Sequence, residues 1–167
     1  MDEGGLSCGE ARQGGGLTEG GRMKRLMGLL RPRRLSTPAS AGLLALRLVA
    51  GLAFVLHGYG KIQNPFGWMG PDASIPGVFQ ALAAVSEFGG GLAWMAGLLT
   101  PPASFGLACT MTVAVYMHAV VMHDPFVAAG PGGSYEPAAI YLCVAILLLL
   151  AGPGRLSADR FIFGEEV

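Results

Sequence analysis

The sequence predicts an all-α protein, a four-helix transmembrane bundle behind a disordered, basic N-terminal lead. Three observations point there. The chain of 167 residues is 52% hydrophobic and only 13% charged, where a soluble domain carries about 25% charged residues. Its mean hydropathy is +0.52. Long apolar runs of near-spanning length are separated by Gly/Pro-rich stretches.

Residues 1–38 form the lead. Up to about Gly21 it is glycine-rich with no hydrophobic period, the signature of disorder. Met1, Met23 and Met27 are alternative starts for the natural chain. Arg12, Arg22, Lys24, Arg25, Arg31, Arg33 and Arg34 all precede the first apolar run. Such a cluster stays cytoplasmic in a membrane protein and suits a membrane-surface anchor. Arg47 inside the following run, and the lack of a small-residue cleavage site after it, argue against a removed signal peptide.

Residues 39–163 form the membrane domain. Helix one is expected over about 41–60, with Gly51, Gly58 and Gly60 allowing close helix approach. Residues 62–77 carry three prolines and three glycines and read as a loop, with Phe66, Trp68 and Met69 at the membrane interface. Helix two is expected over 78–99, where Gly89, Gly90 and Gly91 mark a close-packing or kinked surface. Thr100, Pro101 and Pro102 read as a tight turn that makes helices two and three antiparallel neighbours. Helix three covers 103–122, with His123 as a solvated cap. Helix four covers 136–151, N-capped by Ser134 and stopped by Gly152-Pro153-Gly154. Cys109 and Cys143 read as small apolar fillers. Four spans, with Arg155 and Arg160 after the last, place both termini in the cytoplasm and the protein in the inner membrane.

The polar residues inside these apolar runs are the informative ones, because an ionisable group in lipid is expensive. At 100° per residue, Arg47, Gly51, Phe54, Gly58 and Lys61 share one face of helix one, with His57 to its side. Gln80, Glu87, Gly91 and Trp94 make a similar stripe on helix two. The topology predicts that His57, Glu87, Tyr116 and His118 converge in the outer half of the bundle as candidate ligand-site residues. Two readings of Glu87 stand open: a proton- or quinone-handling group, or a structural pair made with Arg47 or His57. Arg47, Lys61, Glu136, Arg155 and Asp159 read as structural or interface charges, with Lys61 snorkelling to the outer interface. No metal-ligand spacing and no haem-attachment motif occurs.

Five segments resemble the DoxX family of small four-helix bacterial membrane proteins: RLVAGLAFVLHGYGKI at 47–62, EFGGGLAWMAGLLTPPA at 87–103, the histidine-bearing end of helix three with Phe126, GGSYEPAAIY at 132–141 and GPGRLSADR at 152–160. The family takes its name from subunits associated with thiosulfate:quinone oxidoreductase, and some members are linked to thiol-redox defence. The resemblance implies a subunit or accessory of a membrane redox system, with a quinone as its cofactor and a redox protein as its partner. The sequence has no cysteine pair to carry thiol chemistry alone. A scaffold recruiting a partner through the lead and the GPGRLSADR tail is the alternative, and a small proton-coupled transporter a third. The remaining expectations are the lipid bilayer as partner, no nucleic acid at zero net charge, and a homo-oligomer built on the glycine-rich faces.

Overall fold

The computed structural model describes residues 35–164. The expected disorder of the lead therefore lies outside the described residues up to position 34. Its last residues belong to the first helix instead. Helix α1 spans Thr37–Gln63, with Ser36 Oγ accepting from Ala39 N at 3.4 Å and Pro38 in the first turn, where its missing N–H costs nothing. At 1.5 Å per residue, 27 residues rise about 40 Å.

Helix α2 spans Gly77–Ala96. It stops three residues earlier than expected because Gly97 takes the left-handed conformation, φ 66°. Gly97 N then donates to Trp94 O and Leu98 N to Ala93 O, closing the last turn. The turn is thus Gly97–Leu99, and Thr100-Pro101-Pro102 begins the next helix rather than ending the previous one. Helix α3 spans Thr100–Tyr116 and continues into one π-helical turn, Met117–Val121. Helix α4 spans Glu136–Ala151 and a short α5 spans Ala158–Phe163. Ser134 is not the cap of α4. Tyr135 holds that place without a side-chain bond. The α3–α4 loop folds back there, so that Pro125 O and Phe126 O accept from Tyr135 N and Glu136 N. No strand occurs among the described residues.

Helices α1 and α2 pack along their length, α2 then packs on α3, and α3 on α4. Glycine makes the first of these contacts: a Cβ on Gly51 would lie 2.7 Å from Gly91 O, and one on Gly58 would meet the Phe88 backbone. Gly60 and Gly89 do not share this role, since an added Cβ would touch nothing at either. Phe54 closes the α1–α4 side, its ring 4.9 Å from that of Tyr141 and edge-on to Trp94 at 5.4 Å. With Ala50, Leu107, Met111, Ala145 and Leu148 these residues form the core.

The apolar surface lies mostly outside that core. Thr37–Gln63 and the continuous Thr100–Val121 are long and apolar enough to cross a bilayer, yet 28% and 17% of their most apolar windows are buried. A core helix of a soluble protein would be mostly covered. Here Val49, Leu56, Phe105 and Leu150 face outward, and so do Cys109 and Cys143, which are exposed thiols rather than core fillers.

Candidate functional site

The site residues separate into three clusters, two built on a charge pair and one on buried charges bonded to backbone groups. The first joins α1 to α2. Lys61 Nζ lies 2.6 and 2.7 Å from the two carboxylate oxygens of Glu87. The Glu87 side chain is 4% exposed and that of Lys61 25%. Burial of the acid is possible because the ammonium meets both oxygens at once, a charge-assisted contact in a site from which water is largely excluded. The ammonium also sits 4.5 Å from the centre of the Trp68 ring. Trp68 is held in turn: its Nε1 donates to Gln80 O at 3.0 Å. The Gln80 side chain pins the α1–α2 loop, accepting from Met69 N and donating to Ile75 O. Lys61 therefore does not snorkel outward. It is the partner of Glu87, in place of Arg47 or His57.

The second cluster lies at the other end of the same helices. Arg47 is fully buried. Its Nε donates to Trp94 O at 2.9 Å, and its Nη1 to Pro153 O and to Leu156 O. One guanidinium thus satisfies carbonyls left open at the end of α2 and after α4. Asp159, also fully buried, accepts from Leu99 N at 2.6 Å and Thr100 N at 2.9 Å. It fills the N-terminal cap of α3 from a distance of about sixty positions in sequence, where an acid suits the helix dipole. The GPGRLSADR segment is accordingly a clip that folds back on the helix ends. Ser40 Oγ accepts from Arg155 N, and Ser157 Oγ donates to Gly154 O.

The third cluster is at the exit of α3. His118, in the π-helical turn, lies 2.7 Å through Nδ1 from an Asp124 carboxylate oxygen. His123 between them has φ 57° and is exposed. Tyr116 is exposed as well, and Glu136 is half-buried in the first turn of α4.

The expected convergence of His57, Glu87, Tyr116 and His118 is therefore not what the structure shows. Glu87 pairs with Lys61 and His118 with Asp124, while His57 is exposed on the flank of α1. Asp124 and Trp68 were missed because both stand in Gly/Pro-rich loops, where periodicity carries no information. An aromatic beside an expected interface was the available signal for Trp68. Among the described residues no cluster of three or more His, Cys, Asp or Glu could hold a metal ion.

Helices with outward apolar faces, and buried charges each held by a partner or by backbone groups, make the described residues an integral membrane protein. Known proteins agree. The DoxX family profile matches residues 42–124, from the start of α1 to the exit of α3. The chain is 31% identical to inner membrane protein YqjF of Escherichia coli (strain K12), over 72% of this chain and 92% of the relative. It belongs to the DoxX family. No solved structure is significantly similar to it.

Proposed function

We propose that this chain is a four-helix inner-membrane bundle with both termini in the cytoplasm, and that it acts as a subunit or accessory of a membrane redox system. The polar head of a quinone-class ligand is held at the Lys61–Glu87 pair, and the electrons come from a redox partner protein. The Lys61–Glu87 pair carries this reading. A buried carboxylate is joined there to a partly exposed ammonium under an indole ring. The ammonium has three N–H groups and Glu87 takes two at most. The third suits a quinone carbonyl, Glu87 suits a quinol hydroxyl, and the Trp68 face suits a flat ring. The pair also removes Lys61 from the count of outer-loop cations, which supports the cytoplasmic assignment of the termini.

The test is tryptophan fluorescence of the purified protein in nanodiscs, titrated with a short-chain quinone. Quenching is expected in the wild type and in His57→Ala, and is lost in Lys61→Met and in Trp68→Phe. A folded Lys61→Met/Glu87→Gln double variant that is quenched like the wild type removes the site.

One observation favours a second reading, a scaffold that recruits a partner protein. Phe161 is 90% exposed and Ile162 60%, on a helix that Asp159 locks to the bundle. Loss of partner binding in Phe161→Ser, with quinone quenching unchanged, would favour it.

A further inference from the structure

The four helices do not close evenly. α1 packs on α2, α2 on α3 and α3 on α4, but α1 and α4 are not packed on each other in this way. Toward the C-terminal clip the interior is filled by Ala50, Trp94, Leu107, Ala145 and Leu148. Past Met111 no residue of α3 or its π-helical turn is fully buried, and none of α4 ahead of Ala145 is. Ala114 and Ala138, which pack against that core from α3 and α4, are small and only half-buried. The bundle is therefore open between α1 and α4 at the level of the Lys61–Glu87 pair, and a lipid-soluble ring has access to the pair from that side.

Tyr141 stands at the bottom of this opening. Its half-buried ring lies 4.9 Å from that of Phe54 across the α1–α4 gap. Its hydroxyl makes no hydrogen bond among the described residues. A phenol in an apolar interior ordinarily has a partner for its O–H. Phe54 fixes the level of Tyr141 against α2: a Cβ on Gly91 would lie 3.0 Å from Phe54 Cβ. Glu87 precedes Gly91 on α2 by one helical turn, about 6 Å nearer the α1–α2 loop. Tyr141 therefore looks across the bundle from α4, about one turn below the ion pair that α1 and α2 carry.

We propose that Tyr141 gives the second hydrogen bond to the ring held at Lys61 and Glu87, and so selects a para-quinone. This rests on the quinone reading of the ion pair. The Lys61 ammonium donates to one carbonyl and the phenol O–H to the opposite one. Donors on facing walls of a bundle suit carbonyls on opposite edges of a ring. They do not suit an ortho-quinone, whose two carbonyls are adjacent and turn the same way. Packing on Phe54 sets the Tyr141 ring before the ligand arrives, so little ordering is left to binding.

The test titrates the purified protein in nanodiscs with para- and ortho-naphthoquinone, read by tryptophan quenching. Tyr141→Phe keeps the ring on Phe54 and loses only the hydroxyl. It is expected to weaken binding of the para isomer about two- to tenfold, the worth of one neutral hydrogen bond, and to leave the ortho isomer unchanged. Tyr116→Phe, at an exposed position on α3, is expected to change neither. Infrared difference spectra give a second readout. Both carbonyl bands of bound para-naphthoquinone are expected to be shifted in the wild type, and one to return to its free position in Tyr141→Phe. Equal affinity of wild type and Tyr141→Phe for the para isomer overturns the proposal, and so does an equal loss for both isomers. Lys61→Met separates this failure from that of the site itself. Quenching lost there but unchanged in Tyr141→Phe keeps the ion pair as the site without Tyr141. Quenching unchanged in Lys61→Met, or absent from the wild type, removes the site and Tyr141 with it.

Discussion

At Glu87 and Lys61 the two ends of one ion pair are unequally buried, 4% against 25% exposed. Removing either leaves the other charge uncompensated, which costs about 3–5 kcal/mol for a fully buried pair. The more buried survivor suffers more. Lys61→Met, which strands the carboxylate, is therefore expected to cost more than Glu87→Gln, which strands an ammonium with some access to water. Lys61→Met/Glu87→Gln is expected to recover most of the loss. Thermal unfolding in detergent measures all three, and equal costs for the single variants would contradict the burial argument. Arg47 gives a sharper case. Its bonds run to three carbonyls in two segments, and a lysine cannot reproduce that fork. Arg47→Lys is expected to lower stability by about 1.5–3 kcal/mol, the range for hydrogen bonds to charged groups. A melting temperature equal to the wild type would refute it.

Glycines two positions apart on α2 have opposite duties. Gly91 lies against the Gly51 carbonyl, and Gly89 faces open space. Gly91→Ala forces α1 and α2 apart and is expected to cost about 1–3 kcal/mol, as overpacking does. Gly89→Ala meets nothing and removes backbone freedom from the unfolded chain, so it is expected to stabilise by about 0.5–1 kcal/mol. Opposite shifts in melting temperature would confirm the difference. The sequence shows why a close-packing glycine surface belongs here but not which of the three glycines makes it. The stripe Arg47, Gly51, Phe54, Gly58 and Lys61 and the stripe Gln80, Glu87, Gly91 and Trp94 were readable from helical period alone, and all of these residues are buried or half-buried. Period gives the face of a helix and not its axial register against a neighbour. That is why Glu87 could be assigned to the interior while its partner was sought in Arg47 or His57. Asp159 was readable as a structural charge but its partners were not, for a related reason: its bonds reach α3 across the whole of α4, and no local pattern announces them.

The whole molecule is braced at its two ends by different chemistry. The end of the α1–α2 pair nearest its connecting loop is joined by a charge pair under an indole, and the other end by the C-terminal clip. Truncation after Ala151 removes Asp159 and two of the three carbonyls bonded to Arg47, leaving a guanidinium buried and under-satisfied. Such a chain is expected to be lost from the membrane fraction. Truncation after Gly164 keeps Asp159, Pro153 and Leu156 and is expected to retain the protein in the membrane fraction. Immunoblots of membrane yield distinguish the two.

The clip also imposes an order on biogenesis. Arg47 enters the bilayer early in synthesis, but Pro153 O and Leu156 O leave the ribosome more than a hundred residues later. Throughout that interval the nascent chain holds a cation two of whose three final partners do not yet exist. Insertion therefore proceeds through a half-built state that the translocon or a lipid phosphate must shelter. A chain stalled short of the tail therefore leaves Arg47 in the same under-satisfied state as the truncated one.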